Sequence, residues 1–191
     1  LEALVAFVAD ADAATFNAGI AELIDVDDYT AWWLLSTFVI ASDSAGKNSY
    51  HYHDQARSWR VVPWDFNHSL GQSWETERTA SDDAPTYFSR NELFRRLTLH
   101  PTFGPAIYQR YQDTLASGAF SKASLGTMID SYMEEIGLSA ARDWQRWQDA
   151  YRSFNRWNGR TDFTTHLEEV QYIRDWLSER WLFVRDNYTA A

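Results

Sequence analysis

The stretch that most restricts the fold is "AWWLLSTFVIA", residues 31–41, the longest apolar run in a chain of 191 residues. A bilayer span needs about 20 apolar residues; this run is shorter and is broken by Ser36 and Thr37. It reads as a buried helix around which other elements must pack. Asp27 is its expected N-cap, with Asp28 adding acid to the first turn, for a helix over about 28–41 that carries Trp32, Trp33, Leu35, Phe38, Val39 and Ile40.

Helical spacing also marks 1–9 and 13–24 before this run, and 91–98, 101–116, 121–136, 138–155 and 165–188 after it. The Gly46 region is expected to end the central helix. "SYHYH" and "WRVVPW" then read as two short strands joined by the polar "DQARS", with Pro63 marking an edge or a bulge. Residues 71–90 lack apolar periodicity and are expected to form a long surface loop. The fold class is therefore α+β, predominantly α-helical with one small β-hairpin, in a single domain large enough to bury a core. Two stripes, Trp144, Trp147, Tyr151 and Phe154, then Val170, Ile173, Leu177, Trp181 and Val184, recur at helical spacing. Both are expected to face the core and not a carbohydrate.

Seventeen basic against twenty-seven acidic residues give a net charge of −10, which argues against nucleic acid or an anionic membrane as the main partner. No segment reads as a membrane span. Cysteine is absent, which excludes disulfides and thiolate metal sites. The chain opens on "LEALVAFV", already helical in pattern, and reads as a segment of a longer protein.

The chemistry-bearing residues fall in 42–69, "SDSAGKNSYHYHDQARSWRVVPWDFNHS". A hairpin centred between Ala56 and Arg57 places Asn48 directly opposite Asp65, with Cβ atoms about 5 Å apart. An amide oxygen and a carboxylate at that spacing can share a hard divalent cation such as Mg²⁺. Asp43, five residues before Asn48, is placed to act as a general base or an orienting carboxylate, and Lys47 offers a point charge for phosphate oxygens. A loop Asp, an Asn five residues on, a hairpin and then a metal-binding Asp followed by Phe is the order of parts in a protein-kinase catalytic core. Other readings of the same residues are a cap for Asp43, a left-handed turn for Asn48, an Asx-turn for Asp65 and a solvated charge for Lys47. His51, His53 and His68 are weaker candidates for a zinc site, since no acidic ligand is fixed nearby.

"IDVDDYTAWWLL", "KNSYHYHD", "WRVVPWDFNHSLG", "RL…HPTFGPAIYQRYQ" and "YIRDWLSERWLFVRDNY" together resemble the CotH kinase family of spore-coat and cell-surface proteins. The resemblance covers nearly the whole chain. It implies a protein-kinase-like C-terminal lobe whose hairpin carries the metal site. The implied activity is phosphate transfer from ATP, with Mg²⁺ or Mn²⁺, to serine of a protein substrate. The implied location is extracellular, at a cell surface or in the spore coat. By position Asp43 resembles the catalytic loop Asp, Asn48 the metal-side Asn and Asp65 the metal Asp; Lys47 accompanies Asn48 at the catalytic and nucleotide site. Asn67 stands where the family has a second acid, at a further metal position. An N-terminal nucleotide lobe, with its Gly-rich loop and strand lysine, is not found in the sequence and is expected in the parent chain. A non-catalytic structural or adhesive module on the same fold is the alternative.

Overall fold

The computed structural model describes residues 1–53, 58–73, 77–84, 90–153 and 165–189. Among the described residues, seven α-helices and one two-stranded antiparallel sheet follow in the order α1 (Glu2–Asp10), α2 (Ala13–Leu23), α3 (Val26–Phe38), β1 (Ser49–Tyr52), β2 (Arg60–Pro63), α4 (Glu92–Thr98), α5 (Phe103–Ser117), α6 (Lys122–Ser153) and α7 (His166–Asn187). A 3₁₀ turn, Ser42–Ala45, separates α3 from β1.

As the apolar run requires, α3 is the central element: Tyr29, Trp32, Trp33, Leu34 and Phe38 are buried, and so are Thr30, Ser36 and Thr37. Thr37 is accommodated because its hydroxyl donates back to the Trp33 carbonyl at 2.7 Å. β2 packs against α3, α7 also lies against α3, and α5 packs on α7. Rings fill these seams, with Trp33 meeting Tyr108, Tyr111 and Tyr188 at centroid distances of 5.9, 5.7 and 5.9 Å.

The ends of α3 differ from the sequence expectation. Its N-cap is Asp25, whose carboxylate accepts from Asp28 N–H at 3.1 Å, so Asp27 and Asp28 both sit in the first turn. At the other end the helix stops at Phe38, well before Gly46. Ile40 takes a left-handed φ of 53°, and Ala41 N–H returns to the Ser36 carbonyl at 2.9 Å. This is a Schellman termination with isoleucine where glycine or asparagine is usual. Apolar composition concealed it: Ile40 is buried, so packing compensates for its backbone.

The expected pair of helices over 121–136 and 138–155 is one helix, α6, of 32 residues, and Gly137 is accommodated within it without a break. At roughly 48 Å by helical rise, α6 has α7 as its main partner and buries none of its residues. The stripe expected in the core is consequently outside it: Trp147 and Tyr151 are 49% and 40% exposed. Phe154 lies outside the described residues. The α7 stripe behaves as expected, with Leu177 and Val184 buried and Ile173 and Trp181 packed against the core.

The loop expected over 71–90 is, in its described parts, bound along α7. Tyr172 hydroxyl donates to the Gly71 carbonyl at 2.7 Å and Trp176 Nε1 donates to the Thr79 carbonyl at 3.0 Å. Gly71 has φ 84°, and a Cβ there would lie 2.6 Å from Trp176 and Tyr172 side-chain atoms, so glycine is needed for both conformation and approach.

Candidate functional site

Two anchors hold the hairpin against α3. Trp59 pairs its backbone with the α2–α3 junction, Asp25 N–H to the Trp59 carbonyl and Trp59 N–H to the Leu23 carbonyl, both at 2.8 Å. Arg60 then binds Asp28 bidentately, Nε to Oδ2 at 2.7 Å and Nη2 to Oδ1 at 2.9 Å.

The strand register is Ser49 with Pro63, Tyr50 with Val62, His51 with Val61 and Tyr52 with Arg60, one residue away from the expected one. Asn48 therefore faces Trp64, whose N–H donates to the Asn48 carbonyl at 3.2 Å. The hairpin centre expected at Ala56 and Arg57 lies outside the described residues. In a continuing strand, a one-residue slip would send the Asp65 side chain to the opposite face from Asn48. Instead Asp65 leaves the ladder with φ 59°, and its Oδ2 accepts from Asn48 Nδ2 at 3.4 Å. The two side chains expected together are together, joined by a left-handed residue and not by the ladder. Aspartate tolerates that conformation better than most residues.

Asp43 sits in the 3₁₀ turn, where its carbonyl accepts from the N–H groups of Gly46, Lys47 and Asn48 at 3.2, 3.0 and 3.1 Å. These bonds fix the path from Asp43 to Asn48. Lys47 Nζ lies 2.9 Å from Asp43 Oδ2, on a side chain 71% exposed, so the structure brings these two together as a weak surface pair. Asn67 is exposed, and its amide Nδ2 contacts His68 Nε2 at 3.2 Å.

Asn48 and Asp65 bring an amide and a carboxylate together at the mouth of the hairpin; the Asn48 amide nitrogen faces Asp65, so sharing a cation requires the amide to rotate and turn its oxygen to the carboxylate. Among the described residues no cluster of three or more His, Asp or Glu could hold a metal by itself. Such a pair suits a hard cation that keeps water and substrate phosphate oxygens in its shell. His51 and His53 take no part in a described metal cluster: His51 Nδ1 contacts Tyr29 hydroxyl at 2.8 Å, and His53 packs on Trp59.

Burial lowers the His51 pKa below the ordinary histidine value and raises that of Tyr29. A histidine depressed in the fold binds fewer protons than the unfolded chain, so its contribution is present above the unfolded pKa and declines as pH falls below about 6.5. His51→Gln is expected to flatten the stability profile on the acid side of neutrality in urea titrations at successive pH values. An unchanged slope would remove His51 from that role.

Arg180 was not singled out by sequence. It is fully buried and donates to four carbonyls: Thr37 at 2.7, Phe38 at 3.1, Ser81 at 2.8 and Asp83 at 2.9 Å. Its signal was a charge on an apolar stripe, three residues after Leu177 and four before Val184. The Leu70 N–H donates to the Val39 carbonyl at 2.8 Å, and Leu70 is itself left-handed at φ 56°. The Asp43 turn and the Asp65–Leu70 loop thus both hang on the end of α3 that Arg180 holds.

Beside the loop after Asp65 lies a cavity of about 750 Å³ between residues 66–72, Arg78, α6 and α7. It too was not read from sequence, because its walls come from distant segments.

No curated protein matches the chain. The family model described as CotH kinase protein matches residues 1–184 of the 191. A match over nearly the entire length, on a helical fold with one small hairpin, places this chain in the CotH kinase family.

Proposed function

We propose that the protein is the catalytic part of an atypical, metal-dependent protein kinase acting on serine, on a protein-kinase-like C-terminal lobe. The observation that carries this reading is the pairing of Asn48 with Asp65 at 3.4 Å, with Asp43 on the turn that leads into Asn48. Asp43 orients the acceptor hydroxyl and takes its proton as the serine Oγ–phosphorus bond forms and the bond from phosphorus to the ADP oxygen breaks. Asn48 and Asp65 would hold Mg²⁺ or Mn²⁺; Asn67 is a further metal-side candidate. The cation supplies charge neutralisation on the ATP phosphates. Lys47, released from Asp43, reaches the phosphates as a mobile cation.

The family association with the spore coat supports an extracellular location. No helix among the described residues is long and apolar enough to cross a membrane. A second reading, a non-catalytic coat or surface module, is favoured by Asn67, which puts an amide where the family has an acid.

Thermal unfolding of the full-length protein separates the two. ATP and Mg²⁺ together are expected to raise the midpoint more than either alone, by the equivalent of about 2.7 kcal/mol at a hundredfold excess over Kd. No shift with ATP and either metal would favour the module.

A further inference from the structure

The wall of the 750 Å³ cavity begins at Phe66, the residue next to Asp65, and continues through Leu70. Ile136 and Ile173 close it from α6 and α7. Between Ile136 and Trp144, α6 carries the small residues Ser139 and Ala140 where it passes the cavity, which is what leaves the space open. Charged groups at the site are already engaged: Arg78 with Glu169 at 3.3 Å and over the Tyr172 ring at 4.1 Å, Asp143 with Tyr151 hydroxyl at 2.5 Å. A polyhydroxylated sugar ring would therefore find few open partners, whereas an apolar side chain would need none. His166, also in the lining, keeps a buried Nε2 without a partner among the described residues. One unsatisfied nitrogen beside an aliphatic and aromatic wall fits an extended peptide, whose backbone supplies a complementary donor or acceptor.

We infer that this cavity selects the acceptor polypeptide by receiving an aromatic or branched aliphatic side chain close in sequence to the phosphorylated serine. The inference rests on the kinase reading for the identity of the acceptor. Adjacent Cα atoms are about 3.8 Å apart, so the cavity wall starts one residue from the Asp65 carboxylate. An extended peptide advances about 3.3 Å per residue. A serine held at Asp43 for transfer at the Asn48–Asp65 pair would place a side chain only a few residues away into the cavity.

The test uses alanine-based peptides with one central serine, carrying phenylalanine at each neighbouring position in turn. Binding to the full-length protein is measured by fluorescence anisotropy without ATP, and phosphate transfer is measured separately. Burying a phenylalanine is expected to tighten binding about ten- to a hundredfold at one or two positions. Ala140→Phe, which fills the cavity from α6, is expected to erase that preference while leaving the unfolding midpoint and the response to ATP with Mg²⁺ unchanged. Equal binding of phenylalanine and alanine peptides, or a preference that survives Ala140→Phe, would overturn the inference. So would tight binding of a cello- or chito-oligosaccharide that Ala140→Phe abolishes. Preference without phosphate transfer under any metal would leave the cavity assignment standing and remove the kinase reading; transfer without preference would do the reverse.

Discussion

Arg180→Ala is expected to destabilise the protein by about 3–5 kcal/mol, because four backbone carbonyls lose their donors inside the fold. For a chain of this length that corresponds to a fall in unfolding midpoint of roughly 10 °C. No carboxylate accompanies the Arg180 guanidinium in its four bonds; it is held by carbonyls, two of them at the C-terminal end of α3, where the helix dipole favours a cation. Arg180→Lys keeps the charge without the planar fork and is expected to recover only part of the loss. The same residue ties α7 to the loop at Ser81 and Asp83 and to the end of α3 at Thr37 and Phe38. Loss of Arg180 should therefore also loosen the Asp43 turn and the Asp65 loop. Calorimetry and urea titration check the first effect; an unchanged midpoint would show that the carbonyls find other partners.

The second large effect concerns chemistry. Asp65→Ala is expected to lower phosphate transfer by at least about a thousandfold, since a phosphoryl-transfer site works mainly by positioning and charge neutralisation. The fold should tolerate the change at a cost of about 1 kcal/mol for alanine at the left-handed φ of 59°, because Asp65 is exposed and its contact with Asn48 at 3.4 Å is long. Asp65→Asn is the sharper comparison: it keeps the shape and removes the charge. Full transfer by Asp65→Ala, measured in the full-length protein with γ-labelled ATP, would remove the metal assignment.

The central helix was legible in the sequence because burial on all sides leaves an unbroken apolar run, and the hairpin because aromatic and β-branched residues cluster in two short strands. The register was not, since the polar connection carries no pattern that fixes its centre. Asn48 and Asp65 were nevertheless paired correctly, for a reason the spacing did not contain: a left-handed Asp65 turns its carboxylate back toward Asn48. The end of α3 was misplaced because Ile40 occupies a position that composition rules reserve for glycine. Periodicity also assigned the Trp144, Trp147 and Tyr151 stripe to the core. Period alone reports that a helix has an apolar face, not whether another element covers it, and α6 is too long for the body it packs on. Arg180 and the cavity arise from contacts between segments about a hundred residues apart, which no local pattern encodes.

The most direct measurement of the central claim is transfer of the γ-phosphate of ATP to serine of a protein acceptor by the wild-type full-length protein, with Mg²⁺ or Mn²⁺ and after chelation. A site built on Asn48 and Asp65 predicts phosphoserine in the presence of metal and none after chelation. Phosphoserine formed equally without metal, or absent with both metals and a range of serine-containing acceptors, would contradict it.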